Sequence, residues 1–111
     1  MAPITKLSAL SSYANIISTY NLLKHLVKED LKEEVFNNLE NRVVELEQSE
    51  HNYSFSCYFG TQPDKYIKDL KDKILLIKNR NYDAKILIED IKTKIHEISS
   101  FPLLNHCKSF L

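Results

Sequence analysis

The side chains able to do chemistry in this 111-residue chain are four histidines, two cysteines and several paired carboxylates. His25, His51, His96 and His106, with Cys57 and Cys107, are the types that bind zinc or supply a nucleophile and its base. Their spacing suits neither task. No histidine stands at a metal-ligand interval from a cysteine or a carboxylate, and the adjacent His106 and Cys107 are poorly placed for one tetrahedral centre. Glu33 with Glu34, and Glu89 with Asp90, read as solvated helix charge rather than as a working acid and base. Gly60 is the sole glycine, so no glycine-rich loop can cradle a phosphate, and the common nucleotide, hydrolase and zinc-protease motifs are absent. No catalytic, cofactor-binding or metal-binding residue is expected, and the chain reads as non-enzymatic.

Composition narrows the remaining classes. Hydrophobic residues make up 43% and charged residues 27%, which suits one small folded domain. Fifteen basic residues balance fifteen acidic ones. Binding to nucleic acid through bulk charge usually needs a basic excess, so that partner is disfavoured. No apolar run reaches 18 residues, so no membrane span is expected. The N-terminus lacks a charged-then-apolar leader, and the expected location is intracellular, cytoplasmic or nuclear. In that setting free thiols are the expected state of Cys57 and Cys107, although two cysteines leave one disulfide open.

What the chain does carry is helical periodicity. Ile67, Leu70, Ile74, Ile77, Asn81, Ala84, Ile88, Ile91, Ile95 and Ile98 follow a three-four spacing with one polar exception. No Gly or Pro falls between Asp64 and Phe101. This predicts a long helix over 64–99, about 50 Å in length, with Asn79, Asn81 and Asp83 making the region of Arg80 its weakest point. A first helix is predicted over 3–28, starting at Pro3, with a stripe of Tyr13, Ile16, Tyr20, Leu23 and Val27. The register then slips, and a second helix over 31–48 carries Phe36, Leu39, Val43 and Leu46. No Gly or Pro enforces that break, so one long bent helix is the alternative. Between Glu50 and Gln62 the alternation of Tyr53, Phe55, Cys57 and Phe59 has a strand-like period, predicting an extended aromatic connector. Residues 100–111 form an apolar tail with Leu103, Leu104, Phe110 and Leu111.

Flanking charges set the expected orientation. With Ile67 as heptad position a, Lys71, Lys78, Lys85 and Lys92 occupy e, while Lys73, Arg80 and Lys94 occupy g. A parallel copy of this helix would face like charges. With Phe36 as a, Glu33, Glu40 and Glu47 occupy e in the second helix. Antiparallel helices set e against e′, so the glutamate row matches the lysine row if the second helix folds back along the third. Exposed pairs of this kind contribute a few tenths of a kcal/mol, roughly up to 1, so they choose orientation more than they stabilise. The expected fold is therefore all-α: an antiparallel coiled-coil hairpin or a three-helix bundle. Leu75, Tyr82 and Ile86 fall away from the seam and need a cover, either the first helix or another protein.

Two stretches carry a family resemblance. Leu22-Leu23-Lys24-His25-Leu26-Val27-Lys28-Glu29-Asp30-Leu31 is similar to the N-terminal arm of alpha-type prefoldin subunits. Cys57-Tyr58-Phe59, leading through Pro63 into Ile67, Leu70 and Ile74, resembles their strand-to-helix junction. The resemblance implies two coiled-coil arms and a hexameric chaperone, or a related adaptor, that holds non-native clients at its helical tips. That family has one or two complete β-hairpins between its arms, whereas the connector here has room for about one strand.

The function expected from these features is a coiled-coil adaptor or subunit of a larger intracellular assembly, acting through other protein chains in a hetero- or homo-oligomer. The alternative is a prefoldin-like chaperone subunit. A nucleic-acid-binding helical protein and a small secreted effector rank lower. The candidate partner-binding residues are Tyr53, Phe55, Tyr58 and Phe59 in the connector and Leu75, Tyr82 and Ile86 on the long helix.

Overall fold

Thr5, rather than Pro3, opens the first helix. Its hydroxyl accepts the Ser8 backbone N–H at 3.0 Å, satisfying one of the free donors at the N-terminus of α1 (Lys6–Leu26). The computed structural model describes residues 3–108, and within them the chain is helical with no strand. The further helices are α2 (Glu33–Gln48), α3 (Asn52–Phe59), α4 (Asp64–Lys78) and α5 (Ala84–Ser99). None of them is long and apolar enough to cross a membrane. Phe110 and Leu111, expected in the apolar tail, lie outside the described residues.

The first two helices separate where the register slips, with residues 27–32 between them. Side-chain bonds give the directions. Arg42 on α2 donates to the Thr19 and Ser18 hydroxyls on α1 at 2.8 and 2.7 Å, tying the two helices together beyond that short link. Lys71 pairs with Glu47 at 2.9 Å and Lys78 with Glu40 at 2.8 Å. As the number rises along α4 it falls along α2, so these two helices are antiparallel. The pairs are two of those set by the glutamate and lysine rows.

The expected 64–99 helix is broken. Asn79 ends α4, Arg80 takes a left-handed φ of 54°, and the Asp83 carboxylate accepts the Ile86 N–H at 3.1 Å to start α5. The reason is burial. α2 begins only at Glu33, so it can cover Ile67 to Ile77 and no further. A straight continuation would leave the second half of the stripe in water. Turning back instead buries Leu87, Ile91 and Ile98 completely and Ala84, Ile88 and Ile95 in part, at roughly 25 cal/mol for each Å² of apolar surface removed. α5 then runs antiparallel to α4, with the Tyr66 hydroxyl on Glu97 and Lys73 on Asp90 spanning the two. The break falls on the residues with the poorest helix propensity.

The aromatic connector is also different from expectation. It is the helix α3, in which Tyr53 is the exposed aromatic while Phe55 and Phe59 are buried. A lone strand would have left its N–H and C=O groups without a ladder, while a helix pairs them internally. Phe55 and Phe59 lie four residues apart and so share a helical face, a spacing that the two-residue alternation also contains. That face packs on α1, where Tyr13 stacks on Phe59 at 4.9 Å. Gly60, at φ 71°, ends α3 in the left-handed conformation that favours glycine.

The core thus centres on α1, which packs against the other four helices. Ile16, Tyr20, Leu23 and Val27 from its predicted stripe are buried.

Candidate functional site

Two features stand out on opposite flanks of α4. The first is an apolar groove of about 480 Å³, open to solvent, between α2 and α4. Val43 and Ile74 form its floor, Val44 and Leu75 form its walls, and Lys68, Lys71, Lys78, Asp72 and Glu40 stand at the rim. Leu75 is 56% exposed. Leu75 sits on α4 because the helix must aim Leu70, Ile74 and Ile77 inward, which leaves the next residue facing out. On the α4 side the rim has three lysines against one aspartate, Asp72. Lys71 and Lys78 are engaged by α2 glutamates, whereas Lys68 has no ion-pair partner among the described residues. The hydrogen bond from Lys78 to Glu40, followed by the carboxylate's charge, raises the Lys78 pKa above the ordinary lysine value.

The second feature is a polar tie in the interior. Lys73 is 3% exposed, and its ammonium contacts Asp69 at 2.6 Å and Asp90 at 2.5 Å. The hydroxyl of the fully buried Tyr20 is 2.7 Å from Asp69 Oδ2, with the Tyr66 carbonyl at 3.0 Å sharing the proton. Lys94 reaches the other oxygen of Asp90 at 3.3 Å. One buried cation therefore links α1, α4 and α5 through two carboxylates. A buried charge is tolerated when it is paired and hydrogen-bonded, as here. Burial, and then the hydrogen bond to Asp69, pushes the Tyr20 hydroxyl far above the usual phenol range. Burial and the neighbouring Glu97 raise Tyr66 to about 12. The hydrogen bond from Lys73 holds the Asp90 carboxyl below its usual value against the opposing effect of burial. Both tyrosines are neutral and Asp90 is ionised at neutral pH, and the shifts widen those margins. Among the described residues, Lys73 lines none of the four surface pockets formed beside α2 and α4, and its contacts tie α1, α4 and α5 together.

The expected partner-binding residues divide. Leu75 and Ile86 are exposed, Ile86 at 70%, and Tyr53 is exposed on α3. Phe55 is fully buried and Phe59 nearly so, and both belong to the core. Tyr58 is half-buried against that core. Tyr82 is half-buried and donates its hydroxyl to the Val27 carbonyl at 3.1 Å, beside Leu31, Phe36 and Ile77. The cover for Tyr82 is thus the α1–α2 link of the same chain. Tyr53 lies on α3, Leu75 on α4 and Ile86 on α5. The structure brings Leu75 together with Val44, which the sequence reading did not select.

Lys73 and Asp90 are not selected by the sequence pattern, which places Lys73 at a heptad g position and Asp90 in a solvated carboxylate pair. The signal present was local: Asp69 with Lys73, and Asp90 with Lys94, are both four-residue acid-base pairs on a helix. Their convergence depends on the fold-back of α5.

At the other end of the molecule the segment after α5 lies over α3. The Leu104 N–H donates to the Tyr58 carbonyl and the Lys108 N–H to the Cys57 carbonyl, both at 2.7 Å. These are carbonyls from the last turn of α3, which has no intrahelical donors left for them. Both cysteines are free, Cys57 buried and Cys107 exposed. Burial, and then hydrogen-bonding contact with the Cys107 thiol, pushes the Cys57 thiol up to about 11.

No protein-family model, curated protein or solved structure matches this chain.

Proposed function

We propose that this chain is a non-enzymatic adaptor or subunit that receives one amphipathic helix of a partner protein in the groove between α2 and α4. The observation that carries the reading is the groove itself: Val44 and Leu75 exposed above a floor of Val43 and Ile74. Two antiparallel helices with an apolar groove between them are two thirds of a three-helix packing, and the third stripe of apolar side chains is absent from this face. Within the chain, α1 packs against each of the other four helices. Helix-in-groove recognition uses apolar anchors three, four and seven residues apart. The basic rim selects the partner's flank, with Lys68 available to meet an acidic residue beside those anchors. Such a charge sets orientation and encounter rate more than affinity.

The test is affinity capture from the native cell with the wild-type chain and with a Val44→Glu, Leu75→Glu chain, alongside light scattering and circular dichroism. Both positions are exposed, so the helical spectrum and melting temperature should stay within the small range of surface changes. A discrete partner retained by the wild type and lost by the double variant supports the reading, and a synthetic peptide of that partner's acidic helix should compete. A wild-type chain that stays monomeric, with the same captured proteins as the variant, overturns it. Suppression of aggregation of an unfolded client, unaffected by the double variant, would instead favour the prefoldin-like chaperone.

A further inference from the structure

We propose that Cys107 is a site of thiol–disulfide exchange with a small-molecule disulfide of the oxidised-glutathione class, and that Cys57 resolves the adduct into an intrachain disulfide clamping residues 101–108 onto α3. The geometry of that segment supports it independently of the groove. Two backbone bonds seat it on the end of α3, and the second joins the residue after Cys107 directly to the carbonyl of Cys57. Given standard peptide dimensions, the 2.7 Å bond holds the two cysteine Cα atoms within about 7.5 Å, against roughly 4.4–6.8 Å for a bridged pair. Closure therefore needs at most a small shift of an exposed segment. Leu104 and Lys108 also lie over Gly60, with Leu104 Cδ1 3.5 Å from the place a β-carbon would take, an ordinary packing distance.

Accessibility and acidity order the steps. Cys107 is exposed and Cys57 is not, so Cys107 meets the reagent first. The Cys57 thiol, raised to about 11, stays protonated at neutral pH and does not compete as the first nucleophile. The Cys107 thiol loses its proton, and its sulfur attacks one sulfur of oxidised glutathione. The reagent's disulfide breaks, releasing one glutathione thiolate that takes up a proton and leaving a mixed disulfide on Cys107. The Cys57 thiol then loses its proton, its sulfur attacks the Cys107 sulfur, and the second glutathione departs and is protonated. Two protein thiols are oxidised to one disulfide, and one oxidised glutathione is reduced to two thiols.

The experiment is titration of the reduced full chain with oxidised glutathione, followed by intact mass, peptide mapping and thermal melting. The wild type should lose two hydrogens, retain no glutathione and show a link between the peptides containing Cys57 and Cys107. Its melting temperature should rise on the order of 10 °C, because a long loop is closed in the unfolded chain. A Cys57→Ala chain should stop at one glutathione on Cys107. A Cys107→Ser chain, altered only at an exposed position, should keep its fold and stay unmodified. The proposal is overturned by a wild type that keeps its adducts, joins chains through Cys107 or remains reduced. It is equally overturned by modification of Cys57 in a natively folded Cys107→Ser chain, a result that does not depend on Cys57→Ala folding. None of these readouts involves the α2–α4 groove.

Discussion

The two flanks of α4 use their lysines in opposite ways. On the α2 side, Lys71 and Lys78 reach glutamates across solvent-exposed gaps, with side chains 40–53% exposed. On the α1–α5 side, Lys73 is enclosed and held by two aspartates and, through Asp69, by a buried tyrosine. The same residue type is a weak guide to orientation on one side and a fixed part of the interior on the other. Water decides the difference. Exposed pairs are screened and lose side-chain entropy, whereas an ammonium removed from water must keep its partners or destabilise the fold.

The largest effect should come from breaking the interior set. Asp69→Ala leaves Lys73 with one carboxylate and Tyr20 without its shorter acceptor, and should destabilise the chain by about 3 kcal/mol. Urea denaturation would measure it, and a loss equal to that of an exposed pair would erase the contrast between the flanks. Lys73→Met, which keeps the volume and removes the charge, should cost less than Asp69→Ala, because an apolar replacement leaves no buried cation unpaired.

Acid should act on the same flank. The Asp90 pKa is lowered in the folded state, so the unfolded chain binds its proton more readily. The contribution is present above the unfolded pKa, about 4, and is lost as pH falls through the depressed value. In Asp90→Asn the fall in stability below about pH 4 should be shallower, as read from denaturation curves at several pH values. At the alkaline end the sign is reversed by Tyr66: with its pKa raised to about 12, its contribution is complete below the unfolded value of about 10 and is lost as pH rises through about 12.

A smaller effect is expected at the break between the two halves of the stripe. Arg80 has a positive φ, and its ion pair with Asp30 is exposed on both sides. Arg80→Gly should relieve backbone strain at little electrostatic loss and stabilise the chain by about 0.5 kcal/mol after the added entropy of the unfolded state. A fall in melting temperature would mean that the ion pair outweighs the strain. The smallest effect should be Lys71→Ala, a loss of a few tenths of a kcal/mol that 1 M salt largely removes in the wild type as well.

These outcomes follow the line between what was legible in the residues and what was not. The α1 stripe, the slip near Lys28 and the Lys–Glu match of α2 with α4 could be read because each depends on neighbours within one or two turns. Arg80 was legible as a weak point, but not as a reversal of direction, since the length of α2 decides how far the stripe can be covered. The α3 segment was misread because Tyr53, Phe55, Cys57 and Phe59 satisfy a two-residue period while Phe55 and Phe59 also satisfy a helical one. The groove was half legible: Leu75 stood out as an apolar residue off the seam, and Val44, its counterpart, did not.

By itself the sequence determined the helical class, the inward faces of α1, α2 and α4, and the antiparallel sense of the α2–α4 pair, because local periodicity and charge rows carry that information. Only the tertiary structure decided that α5 folds back, that Lys73 is enclosed, that the aromatic segment is helical and that Cys107 lies against Cys57. Each of those depends on which distant surfaces are available to exclude water or satisfy a backbone group, and that is settled by the whole chain at once.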